Sequence, residues 1–316
     1  MRAKKNMKES YHIDFTSHNE VMFRDREDHG TFINLMALRA FSLEAQLYAD
    51  AEMSNHVHLN VFTSEPAKFG SALRMSYTRY FNRKYGRSGC LGDPGLYVLQ
   101  IRGVNHQVVA TNYILRNALH HGAVSCAFGY EWCAIRDIFA EDTGLSKTKD
   151  IITDRKIIES YLPRHSEFPD TYLMNGEGVF LRSSFMEIRQ VEQFYVTPRN
   201  YLYQMNRLTD ESWIRDQEKD ETGKAIRLED IEAGYSAQDI AAMLKNEGGR
   251  GFRPDRMQDL DVCHLIDTRL IKKYGAASVY QLNSTQKRDI YRQLLYDYHL
   301  PEKQIRRCLV YYDETR

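Results

Sequence analysis

Two histidines, His56 and His58, lie two positions apart in the run Ala51-Glu52-Met53-Ser54-Asn55-His56-Val57-His58-Leu59-Asn60-Val61-Phe62. Side chains alternate across a strand, so both imidazoles face one side and can grip one divalent ion, while Val57, Leu59 and Val61 face a core on the other. A second pair lies downstream in Asn112-Tyr113-Ile114-Leu115-Arg116-Asn117-Ala118-Leu119-His120-His121-Gly122. Tyr113 and Asn117 are one helical turn apart and share a face. A phenol is a poor nucleophile at its usual pKa of about 10, so a tyrosine that attacks phosphorus needs a cation nearby to favour phenolate and polarise the phosphate. Asn117 can give that ion a carbonyl oxygen beside the two imidazoles. Such a mixed set with open positions suits Mg²⁺ or Mn²⁺ bound jointly by protein and phosphate, and imidazole also suits zinc.

The elements that must hold these residues are legible from periodicity. Residues 10 to 18 alternate polar and apolar as a strand, Thr31 to Phe41 repeat apolar residues at helical spacing, and Gln46 to Glu52 return to strand character. A turn at Met53-Ser54-Asn55 makes a hairpin with the His56 strand. Pro66 to Tyr85 reads as helix, Gly95 to Ile101 as strand, and Val104 to His120 as helix stopped by Gly122, where His120 and His121 either finish the helix or approach the site. The order β-α-β-β-α-β-α predicts an α+β fold with a ferredoxin-like antiparallel sheet and helices on one face. Past a linker at Ala140 to Asp154, the segments Ile157 to Leu208 and Leu228 to Leu309 read as mostly helical, and the acidic stretch 210 to 224 as a solvated loop. The expected division is a catalytic domain at 1 to 145 and a mostly helical accessory domain at 150 to 316.

The chain has 316 residues, with 43 Lys plus Arg against 43 Asp plus Glu. A formal net charge of zero excludes a uniformly basic nucleic-acid binder and leaves only local surfaces for that role. One such surface lies between Phe69 and Cys90, where Arg74, Arg79, Arg83, Lys84 and Arg87 occur without an acidic residue and are interleaved with Tyr77, Tyr80, Phe81 and Tyr85. The basic groups suit backbone phosphates, and aromatics such as Tyr80 suit stacking on unpaired bases. Near the C-terminus, Asn283 caps a helix and Pro301 opens another bearing Arg306 and Arg307. This spacing suggests a helix-turn-helix at about 284 to 309 with a basic second helix for a DNA groove. Five cysteines without a Cys-x-x-Cys pair argue against a disulfide framework or a thiolate zinc site. The sequence has neither an apolar run of about 18 residues nor a signal-peptide pattern, so no membrane contact is expected, and the location expected is cytoplasmic, nucleoid-associated when bound to DNA.

His56-Val57-His58 after Ser54-Asn55, the helix Leu73 to Arg83 and Tyr113-Ile114-Leu115-Arg116-Asn117 together resemble the HUH-type single-tyrosine transposases, particularly the REP-associated tyrosine transposases. The resemblance spans about residues 10 to 140. It implies that His56, His58 and Asn117 hold the ion, and that Tyr113 forms a 5′-phosphotyrosine link while freeing a 3′-hydroxyl. It further implies nicking and strand transfer on single-stranded or hairpin DNA; a homodimer is one of the assemblies it allows, since family members differ in theirs, and Tyr113 can complete the site of its own chain or of a partner's. Relatives commonly carry Asn-Pro-Val-Arg-Ala-Gly where this chain has Asn117-Ala118-Leu119-His120-His121-Gly122, which bears on DNA contacts at that end. Two alternatives stand beside it: a domesticated, catalytically silent protein that binds hairpin nucleic acid, and a phosphodiesterase that uses the histidine pair with water.

Overall fold

The computed structural model describes residues 7–17, 19–92, 95–145, 150–206 and 257–312. His18, the acidic stretch 210 to 224 and the expected helical run from Leu228 as far as residue 256 lie outside the described residues. Strand β1 (Glu9–Thr16) leads to α1 (Arg26–Ser42), then β2 (Gln46–Met53), β3 (His56–Thr63), α2 (Pro66–Tyr85) and β4 (Tyr97–Ile101). The four strands form one sheet in the order β2-β3-β1-β4, antiparallel throughout. The fold is α+β.

Register decides which side chains meet. Asp14 pairs with His58, His12 with Asn60 and Thr16 with His56. Directly paired residues point the same way, so these polar groups line one face while Ile13, Phe15, Val57, Leu59 and Val61 line the other. Helices α1 and α2 cover the apolar face, with the Phe15 ring 6.0 Å from Phe32 and Phe32 5.2 Å from Tyr77. Gly70 lets α2 approach β1 closely, because a Cβ there would sit 2.8 Å from Leu96 and 3.0 Å from Ile13. At its C-terminus α2 is stopped by Gly86 in the left-handed region, φ 63°.

The polar face is covered too, which corrects the expectation of helices on one face. Helix α3 (Val104–Leu115) and the short α4 (Asn117–His120) lie across it, and Asn60 Nδ2 donates to Thr111 Oγ1 at 3.0 Å. A face carrying His12, Asp14, His58 and Asn60, all at most 4% exposed, needs a lid that returns hydrogen bonds, and α3 provides one. The expected continuous helix from 104 to 120 is broken at Arg116, which leaves helical geometry with φ −97° and ψ 3°.

Residues 151 to 205 share the core of the sheet. Phe168, Phe180, Val191, Tyr195 and Tyr201 belong to the same buried cluster as Val57 and Leu59, so the expected boundary at 145 to 150 does not divide the apolar core. Arg182 grips Asp50 through two nitrogens at 2.9 and 2.7 Å, the Glu187 N–H donates to Leu47 O at the β2 edge, and Tyr195 Oη donates to Asn112 at 2.7 Å. A second cluster holds Val262, Ile266, Ile290, Leu294, Ile305 and Leu309 around the helices Asp259–Leu265, Ser284–Tyr296 and Glu302–Leu309, with Val21 inserted from the β1–α1 loop.

Polar clamps seat this C-terminal unit. The buried Arg24 guanidinium donates twice to Asp267, at 2.9 Å each, and to Cys308 O at 2.8 Å. Asp259 accepts from Ser54 Oγ at 2.7 Å and from Arg307 at 2.5 and 2.7 Å, which ties the unit to the β2–β3 turn. Burial alone would push the Asp259 carboxyl up, but Arg307, Ser54 and Gln304 outweigh it and hold the group below the usual carboxylate range.

Two outcomes are expected. Arg24→Ala leaves Asp267 without its partner and removes three hydrogen bonds, so it should weaken the fold by about 3 kcal/mol in denaturant titration and expose the C-terminal unit to protease. Because the folded pKa of Asp259 lies below the unfolded value of about 3.9, its contribution is complete above that pH and fades as the pH falls through the folded value. Asp259→Asn should therefore flatten the acid limb of the stability profile, and an unchanged limb would show that the Arg307 pair does not carry it.

Candidate active site

Side chains from β1, β3, α3 and α4 meet on the polar face of the sheet. The His56 and His58 rings are 5.0 Å apart, and His56 Nε2 lies 3.0 Å from Asn117 Oδ1. Tyr113 packs edge-on to His58 at 5.5 Å and is stacked on His120 at 5.5 Å, and His121 lies 4.7 Å from His56. The four residues singled out for metal and nucleophile thus come together, and His120 and His121 join them instead of merely ending a helix. Tyr113 is completely buried.

Both histidines of β3 are anchored at Nδ1. For His56 the partner is Asn55 Oδ1 at 2.9 Å; for His58 it is His12 Nε2 at 3.1 Å, with Asp14 Oδ2 3.9 Å away. Fixing one ring nitrogen sets the orientation of the ring and of its other nitrogen, which is how metal-binding histidines are commonly held. Burial, with the neighbouring histidines His56, His12, His121 and His120 adding to it, holds His58 well below its usual pKa, so the ring stays in the neutral form that ligates cations. Burial also lowers His12 to about 3 and raises Asp14 to about 7.

His12, Asp14 and His58 themselves form a cluster whose donor atoms lie within 4.8 Å of one another and could hold a metal ion. The two imidazoles and one carboxylate fit a divalent cation by donor chemistry. His58 is common to this set and to the set with His56 and Asn117. His12 and Asp14 were not singled out from sequence, although their own spacing of two in an alternating strand carries the same signal as His56 and His58. What was missing was the β1–β3 register.

Apart from Arg307, which lines the cavity beside His56, the residues expected to contact DNA lie elsewhere. Arg79 and Arg83 are exposed on α2, which covers the sheet face opposite Tyr113. Arg74 donates to Gly95 O at 2.8 Å. Lys84 is held by Asp25, Glu27 and Asp28 at 2.8 to 3.0 Å, Arg87 by Glu20, and Arg307 by Asp259. Arg306 lies 3.7 Å from Glu302 and over the Tyr291 ring at 5.3 Å. Tyr80 is half-buried and donates to Asp28 at 3.1 Å, while Tyr77, Phe81 and Tyr85 point into the core and present no stacking surface. The amphipathic period of α2 had to place aromatics and basic residues on different faces, and it assigns the aromatics to the core.

No family model matches the chain, and no curated protein matches it. Among solved structures it is similar to one described as the REP associates tyrosine transposase bound to a REP hairpin, with a TM-score of 0.38 and 12% identity over 46% of this chain and 87% of that one. No helix among the described residues is long and apolar enough to cross a membrane.

Since both donor sets share His58, His58→Ala should abolish Mn²⁺ binding wherever the ion sits, as read by calorimetry or by Mn²⁺ relaxation. Undiminished binding in that variant would remove the site as a metal centre.

Proposed function

We propose that the chain is a metal-dependent enzyme that nicks and rejoins single-stranded or hairpin DNA, with Tyr113 as nucleophile and His56, His58 and Asn117 as ligands to Mg²⁺ or Mn²⁺. The observation that carries this reading is the meeting of α3 and α4 with the histidine pair of β3: the His56 and His58 rings are 5.0 Å apart, the Tyr113 ring is 5.5 Å from His58, and Asn117 Oδ1 is 3.0 Å from His56 Nε2. The Nδ1 anchors from Asn55 and from His12 favour the ligand set on the Asn117 side over the set against β1. A sheet order that reads β4-β1-β3-β2 from the other edge supports a ferredoxin-like arrangement with α3 as an added layer.

A bound divalent ion would polarise the phosphate and favour the phenolate. The protein's own part is positional. Tyr113 Oη bonds to phosphorus, the bond from phosphorus to the 3′ oxygen breaks, and the proton given up by the phenol is balanced by the one the departing 3′ oxygen takes. The 5′-phosphotyrosine so formed conserves the phosphodiester energy, and attack by a second 3′-hydroxyl reverses the step. The chain contains no Gly-x-x-x-x-Gly-Lys-Ser/Thr loop, in keeping with a reaction that needs no nucleotide hydrolysis.

The complete burial of Tyr113 favours the second reading, a silent binder of hairpin nucleic acid, because a phosphate reaches the phenol only if the side chains around it shift. Covalent trapping separates the two. Wild-type protein with Mn²⁺ should form a denaturant-resistant adduct with a hairpin oligonucleotide. Tyr113→Phe should form none, and His56→Ala should form about a hundredfold less. An adduct that survives in Tyr113→Phe excludes this nucleophile, and the absence of any adduct in the wild type supports the silent binder. Asn117→Ala should weaken Mn²⁺ binding more than His12→Ala does; the reverse order would move the ion to the β1 side.

A further inference from the structure

A cavity of about 590 Å³ lies at the end of the sheet, where the β2–β3 turn, the segment around Tyr130 and the C-terminal unit come together. Its size is that of a small-molecule site, for which roughly 300–1,000 Å³ is usual. His56 lies on its wall, so it adjoins the candidate active site, and His29 enters it from α1.

His29 is unusually constrained. Its ring is sandwiched between Phe23, at 4.3 Å and 11°, and Trp132, at 4.2 Å and 6°. Its Nδ1 is 3.0 Å from Glu52 Oε2, and Glu52 is itself fully buried beside Arg182, 3.5 Å away, which Asp50 already engages. With both faces and Nδ1 occupied, the part of the ring left to meet the cavity is the edge carrying Nε2. Among the described residues Nε2 has no hydrogen-bond partner.

The charge of the buried network fixes the proton on that edge. Arg182 is engaged by Asp50, with Asp137 also acting on it, so a proton kept on the Glu52–His29 pair avoids a further buried negative charge. If Glu52 carries it, the carboxyl donates to Nδ1 and the neutral ring must be protonated at Nε2. If His29 carries it, the imidazolium is protonated at both nitrogens. Burial raises Glu52 and, with Arg182 and Arg26, lowers His29, which favours the first arrangement. Either way Nε2–H is a donor held in fixed orientation. Tyr130, whose hydroxyl is tied to Glu52 O at 2.5 Å, adds an aromatic ring to the wall that stacks on no other ring among the described residues.

We propose that this cavity binds one unpaired nucleobase next to the cleaved phosphate, with Tyr130 as stacking platform and His29 Nε2–H donating to an acceptor atom on the base. This rests on the DNA-cleaving reading and deepens it by naming a base-specific subsite. Extruded bases are generally held in this way, by an aromatic face and a few fixed polar groups at the base edge.

Mononucleotide binding tests the pocket without any chemistry at Tyr113. In the full chain carrying Trp213→Phe, Trp132 is the only tryptophan and reports from the cavity wall. Titration with dAMP, dCMP, dGMP and dTMP should give a saturable change in its fluorescence for at least one of them, and none with deoxyribose 5-phosphate. His29→Phe, which keeps an aromatic ring in the stack, should weaken that binding about fivefold. Tyr130→Leu, which leaves the stack alone, should weaken it about tenfold. Silence with all four nucleotides at millimolar concentration, an equal response to the sugar phosphate, or unchanged affinity in both folded variants overturns the proposal. Nucleotide binding without a Tyr113 adduct would sink the catalytic reading and leave the pocket standing, and an adduct without nucleotide binding would do the opposite.

Discussion

The two-residue alternation of β1 and β3, locked together by their register, is the constraint from which the remaining architecture follows. It delivers Ile13, Phe15, Val57 and Leu59 to one face of the sheet and His12, Asp14, His58 and Asn60 to the other. A one-residue slip between the strands would exchange these sets and put imidazoles and a carboxylate into the apolar layer under α1 and α2. The polar face cannot be left to a purely apolar lid either. Helix α3 answers with Thr111 toward Asn60 and Tyr113 against His58, and its break at Arg116 turns Asn117 toward His56. The candidate site is therefore what the sheet requires of its cover as well as a set of reactive groups.

Much of this was legible from residue order. The hairpin at Met53-Ser54-Asn55 and the helix from Pro66 to Tyr85 follow from local periodicity and turn chemistry, which need no knowledge of distant partners, whereas Tyr113 and Asn117 meet the histidines across a helix break at Arg116 that periodicity did not show. Long-range pairing was not legible. His12 and Asp14 carry the same i, i+2 signal as His56 and His58, but only the antiparallel register with β3 brings them beside His58. The basic residues of α2 illustrate the same limit: sequence shows that Lys84 and Arg87 lack acidic neighbours nearby in the chain, whereas the fold brings Asp25, Asp28 and Glu20 to them from the loop and helix before β2. A charge count along the chain does not see a carboxylate that arrives through tertiary structure.

The C-terminal unit gains meaning from where it is clamped. Arg24 and Val21 hold it to the β1–α1 loop, and Ser54 with Asp259 holds it to the β2–β3 turn. Both contacts are at the end of the sheet where His56 begins its strand. Buried ion pairs demand specific geometry, so the Arg24–Asp267 and Arg307–Asp259 pairs fix the unit's place. By closing over the turn it converts an exposed strand end into a walled cavity, with Arg307 engaged in holding the wall and not available as a free cation.

That engagement bears on how such a protein would hold nucleic acid. Affinity that comes mainly from phosphate neutralisation needs uncommitted Lys and Arg near the site and falls steeply with salt. Here the net charge is zero, Lys84, Arg87 and Arg307 are matched by carboxylates, and the exposed Arg79 and Arg83 face away from Tyr113 across the sheet. A strand reaching Tyr113 would find histidines, Asn117 and aromatic walls, with Arg136 and the Asp259-bound Arg307 on the adjoining cavity. If the proposed reading holds, recognition on that side would draw largely on shape, stacking and contacts to base edges, which discriminate among sequences where phosphate contacts do not. A cation held by neutral imidazoles suits such a site: it would supply positive charge at the one point where Tyr113 and the histidines meet, which the carboxylate-bound Lys84, Arg87 and Arg307 do not.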